Sequence, residues 1–260
     1  MAQANRPIVS TILNHPLIVF LVALVAQSAA ANVGGRLRRR VRPLGMDERE
    51  DFDTVLTATL TLMALIIGFT FSMAVSRFDQ RKNYEEAEAN AIGTEYLRAD
   101  LLPPDDAVRV RESLRIYLDQ RVLFYLGDER RLGEASVDPA KLQIELWSPV
   151  VHAATAQPTP VSALAVAGMN DVLNSQGYTQ AAWLNRIPVA AWSLMGLIAI
   201  CSNLLLAYRE RSTGMLALLV LPTIASIAFF LIADIDSPGG GIIRVHPHNL
   251  IALSQSLKAQ

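Results

Sequence analysis

The 260-residue chain carries 23 basic and 24 acidic side chains and is 52% hydrophobic. A net charge near zero, with no basic surplus, argues against a nucleic-acid partner. One cysteine, Cys201, excludes a disulfide within the chain and leaves the redox compartment unread.

The first apolar run, Leu17 to Ala31, is short, and the small residues of "VALVAQSAAAN" also suit a cleaved signal peptide. The arginine-rich "RLRRRVR" that follows favours an orienting membrane helix, about Pro16–Val33. Thr54 to Ser76, Ile187 to Tyr208 and Ser212 to Ala233 carry no charge. Each is long enough to cross the hydrocarbon core, which takes roughly 20 helical residues. Between the second and third spans, residues 77–186 hold 12 basic and 16 acidic side chains and read as helices.

Nothing breaks the helix between Thr54 and about Ala99, although its second half is highly charged. At 1.5 Å per residue it would be about 69 Å long and project well beyond the membrane. Such a stalk must bury a face. Ala87, Ala91, Thr94 and Leu97 offer one of mostly small side chains for a following helix, residues 105–128, or for stalks of other copies. In that following helix, begun by "PPDD", Val108, Leu114, Tyr117, Leu118 and Leu126 make an approximately helical apolar stripe. Asp138 before Pro139 and Thr159 before Pro160 read as N-caps, and Gly177 as a C-cap.

The expected fold is therefore all-α: an integral membrane protein with four transmembrane helices and a helical extramembrane segment between the second and third. Its divisions are 1–76, the first two spans; 77–186, the extramembrane segment; 187–236, the last two spans; and 237–260, a C-terminal tail.

In the second span Thr57, Thr61, Gly68, Ser72 and Ser76 fall near one face. Small residues there either let helices approach closely in lipid or line a wet pore. Arg77, the first charge beyond, is either an interfacial anchor or an anion-attracting charge at a pore mouth. Asp234 and Asp236, ahead of a glycine run, are either turn caps or part of a cation site of oxygen ligands. His246 and His248 lack the rest of a zinc ligand set. No catalytic motif, metal set or cofactor-binding loop is present, so no enzyme activity and no cofactor is expected.

Two stretches, "LIIGFTFSMAVSRFDQRKNYEEAEANAIGTEYLRADLLP" and "DIDSPGGGIIRVHPHNLIAL", together with the order of elements, resemble the bestrophin-like family of bacterial membrane proteins. More distantly the chain resembles the bestrophin anion channels, most specifically in Gly68-Phe69 followed eight residues later by Arg77. The resemblance implies that the second span lines a pore. It places a neck at Thr61, Leu65 and Phe69, of which Thr61 is polar here. It also implies a homo-oligomer, a pentamer in bestrophins, with small anions as cargo. Bestrophins keep the large segment and the termini in the cytoplasm. The arginines at 36–42 favour the opposite, with residues 77–186 periplasmic. The expected function is an oligomeric anion channel in the bacterial inner membrane. The alternative is a non-conducting scaffold or sensor whose helical segment binds a partner.

Overall fold

The computed structural model describes residues 13–41, 45–127, 139–209 and 215–259. They are helical, with no strand among them. The helices are α1 (Pro16–Arg40), α2 (Met46–Arg98), α3 (Pro104–Leu126), α4 (Pro139–Ala156), α5 (Pro160–Leu184), α6 (Val189–Arg209), α7 (Met215–Asp236) and α8 (His248–Lys258). A short 3-10 turn, Ala99–Leu101, follows α2. Four helical stretches are long and apolar enough to cross a membrane. The first three contain the spans expected from Pro16, Thr54 and Ile187. The fourth, Leu219–Asp236, covers most of the expected Ser212–Ala233, whose first residues lie outside the described residues.

The chain forms two compact units. The first combines Met1–Phe78 with Arg186–Arg244. In it α1 packs along α6 and α7. Met63 and Ala74 of α2 join Val19, Met195, Ile198, Phe229 and Ile232 in the core. The tightest approach is at Gly34. A Cβ there would lie 2.2 Å from the Leu204 carbonyl oxygen, a backbone atom fixed in α6. Three buried polar side chains sit within this apolar unit and satisfy one another. Gln27 donates to Ser226 Oγ (3.1 Å), and Asn203 donates to Gln27 Oε1 (3.0 Å). Gly34→Ala should therefore destabilise by about 1–3 kcal/mol through overpacking. Gly35→Ala should be nearly neutral, because a Cβ there meets nothing within 4 Å. Melting both variants in detergent tests this close approach; equal midpoints would contradict it.

The second unit combines Asp79–Asn185 with Val245–Gln260. Here α3 packs on α4 and α8, and α4 on α5. The face that α2 buries differs from the expected one. Ala87, Thr94 and Leu97 are exposed and Ala91 is half-buried. Arg81, Glu85, Glu88, Ile92, Glu95 and Ala99 are buried at a spacing of 4, 3, 4, 3, 4, with Ala89 and Tyr96 buried beside them. This is the seam spacing of packed helices, occupied mainly by charges.

Glu85 and Glu88 are tolerated because partners reach them. Glu85 accepts from the Asn249 and Leu250 backbone N–H groups, both 3.0 Å, and from Asn249 Nδ2 at 2.7 Å. It thereby caps α8, which has no side-chain cap of its own. Glu88 takes a two-pronged contact from Arg121, and hydroxyl bonds from Tyr117, Tyr125 and Thr179, each 3.3 Å. Burial and the Glu88 charge push both tyrosine hydroxyls far above their ordinary pKa.

Other local expectations divide. Thr159 caps α5 through a reciprocal bond with Ser162, as expected. Gly177 is not a C-cap; α5 continues past it, burying Thr179 and Ala182. The glycine that ends a helix in the left-handed conformation is Gly127, with φ +68°, after α3. In α3, Leu114, Tyr117 and Leu118 are buried as expected. Val108 and Leu126 are exposed, and Val110, Arg121 and Tyr125 are buried instead. No side chain caps α3; Asp106 lies in its first turn, 3.3 Å from His152 Nδ1. Asp138 lies outside the described residues. Residues 248–258 of the tail form α8, which buries Leu250 and Leu257.

Candidate functional site

Within the first unit, α2 has two opposite faces. Leu56, Met63, Thr70 and Ala74 are buried. Thr57, Thr61, Leu65, Phe69, Ser72 and Ser76 are all exposed, Leu65 by 50% and Phe69 by 62%. At about 100° per residue the two sets lie roughly half a turn apart. The six residues thus form one continuous face that this unit leaves uncovered. Thr57, Thr61 and Leu65 line an open groove along it. The Thr61 hydroxyl donates to the Thr57 carbonyl oxygen at 2.8 Å, so the helix itself satisfies it.

Arg77 lies near the end of this stretch, but its charge is not isolated. Its Nη1 is 3.7 Å from Asp236 Oδ1, and its side chain is only 16% exposed. The same carboxylate is 3.4 Å from Arg186 Nε and faces the Ile187 N–H, 3.2 Å from each oxygen. Arg186 also bonds the Asn14 side chain. One buried carboxylate therefore joins α2, the start of α6 and the end of α7. Arg77 is part of a cluster in which two arginines share one carboxylate, rather than a bare positive charge.

Asp234 is occupied in another way. Its two carboxylate oxygens accept from the Ile242 and Ile243 N–H groups, at 2.7 and 2.8 Å. Gly241 is needed beside it, since a Cβ there would come within 2.6 Å of the Asp234 carbonyl oxygen. The capping reading of Asp234 thus has direct geometry. Of the two carboxylates suggested for a cation, one is saturated by backbone donors and the other faces two arginines. Among the described residues, no cluster of three or more His, Cys, Asp or Glu side chains could hold a metal ion. His246 and His248 are exposed at the start of α8, with ring centroids 5.7 Å apart.

Sequence reasoning singled out Arg77 and Asp236 separately and missed that they meet. The available signal was that each closes an uncharged run, Arg77 after Thr54–Ser76 and Asp236, with Asp234, at the end of α7.

A family model for the bestrophin-like domain matches residues 19–250. Solved structures with a similar fold include two point variants of a bacterial bestrophin homologue from Klebsiella pneumoniae. One has a TM-score of 0.66 at 15% identity, covering 94% of this chain and 98% of its own. The other has a TM-score of 0.65 at 15% identity, covering 94% and 97%. A zinc-phased structure of the Klebsiella pneumoniae homologue has a TM-score of 0.61 at 16% identity, covering 93% and 95%. No curated protein matches the chain. The family model spans most of the chain and the fold is shared nearly end to end with those structures, and so the chain belongs to the bestrophin-like family.

Proposed function

We propose that this protein is a homo-oligomeric ion channel, multi-pass in the bacterial cell membrane, with the uncovered face of α2 lining its pore. The observation that carries the reading is that face itself. Thr57, Thr61, Leu65, Phe69, Ser72 and Ser76 all point away from the core of their own unit. Repeated around a symmetry axis, Leu65 and Phe69 would stack as apolar collars, and a narrow apolar collar holds water poorly. The hydroxyl-bearing positions on either side would keep the rest of the path wet. The family resemblance favours anions as cargo. Arg77 supports that preference only in part, because Asp236 offsets it. No catalytic role is assigned.

The test is chloride and potassium flux in liposomes containing the purified protein. Replacing Leu65 and Phe69 together by alanine should widen and wet the collars and raise flux above wild type. Arg77→Glu should reduce or reverse an anion bias, and Asp236→Asn should strengthen it by leaving the arginines unopposed. If well-folded wild type and the double-alanine variant are both as silent as empty liposomes, the channel reading fails. A scaffold or sensor role would then replace it. A particle of fewer than three subunits in detergent would also count against a closed pore.

A further inference from the structure

Of the buried carboxylates on the α2 seam, Glu95 is unlike Glu85 and Glu88. It has no accessible surface, and no hydrogen-bond donor reaches either carboxylate oxygen. The cause is the closeness of α5. Gly168 lies directly over it: a Cβ at that position would be 2.0 Å from Glu95 Oε2 and 2.5 Å from Arg98 Nη1. The charges that face Glu95 are Arg98 on its own helix and Asp171 on α5. Arg98 is not within ion-pair or hydrogen-bond distance, and Asp171 repels a negative charge. An ionised carboxylate enclosed in this way has neither water nor donors around it, which is costly. A neutral carboxyl group fits the same space without that penalty.

We propose that Glu95 is a proton-binding site that controls the closure of α5 on α2: protonated, it allows the Gly168 contact, and deprotonated, it favours opening of that contact to water. Burial, reinforced by Asp171 and only partly offset by Arg98, pushes the carboxyl up to about 8. The direction of the pH effect follows. The closed contact holds the proton more tightly than the open one, so it is strongest below the ordinary carboxylate range. It weakens as pH rises toward about 8 and is level above that. The ligand is a proton and the responding element is α5, so this inference does not depend on ion conduction.

Amide hydrogen exchange on the full-length protein in detergent, from pH 5 to 9.5 and corrected for intrinsic exchange rates, tests it through peptides covering residues 160–184. Opening of α5 in wild type should rise about tenfold per pH unit between about 5 and 8, then level off. Glu95→Gln, a neutral isostere, should stay at the acid level throughout. Asp171→Asn removes a charge that raises Glu95 and should move the upper end of the window to lower pH. Wild-type protection that is flat across the range overturns the proposal. So does a transition that persists unchanged in Glu95→Gln. Should that variant not fold, an unmoved window in Asp171→Asn overturns it as well.

Discussion

Glu88→Ala should destabilise the protein by about 3–5 kcal/mol, the cost of leaving one partner of a buried ion pair alone. The remaining Arg121 guanidinium is only 5% exposed. Among the described residues no other carboxylate bonds it, and the hydroxyls of Tyr117, Tyr125 and Thr179 would lose a common acceptor. The unfolding midpoint should fall by roughly 6–20 °C for a chain of this size. Replacing Glu88 and Arg121 together by leucine should recover part of the loss, because apolar residues at both positions leave no bare charge. A Glu88→Ala protein melting within a degree or two of wild type would show that the network carries little of the second unit's stability.

Ser76→Pro should cost about 3 kcal/mol or more, since α2 runs unbroken from Met46 to Arg98. Proline at this position removes the bond to the Ser72 carbonyl and presses its ring against that turn. Ser76 is exposed, so its side chain adds little. Ser76→Ala therefore isolates the backbone effect and should melt like wild type or slightly higher. Thermal unfolding of the pair by circular dichroism decides the matter. If Ser76→Pro and Ser76→Ala melt together, a continuous helix through this position is ruled out.

What could be read in the sequence, and what could not, follows from the range of the forces involved. The spans were legible because exclusion of charge from lipid acts on each stretch by itself, as from Thr54 to Ser76. The continuity of α2 was legible because helix breaking is local and no breaker is present. The Thr159 cap was legible because its partner, Ser162, is three residues away. The α2 seam was not, because the usual sign of a buried face is apolar periodicity. Here charged positions take that role, and their partners lie far along the chain: Arg121 is 33 residues from Glu88, and Thr179 is 91. For the same reason Ala87, Ala91, Thr94 and Leu97 looked like the packing face. At the candidate site, the exposed face of α2 could be placed from spacing and resemblance. The pairing of Arg77 with Asp236 could not, because it arises only when α2 and α7 fold together.

The distance between Glu85 and its donors also has a consequence in time. Asn249 and Leu250 follow it by 164 and 165 residues. At 5–20 residues per second, a ribosome needs roughly ten to thirty seconds to make that intervening chain. Throughout this interval the α2 seam has been synthesised but lacks its last partner. A seam of leucines would spend that wait as a sticky surface open to aggregation. The Glu85 carboxylate instead remains hydrated until α8 emerges, and Glu88 until α3 and α5 do, so charges later enclosed in the fold also keep the nascent chain soluble.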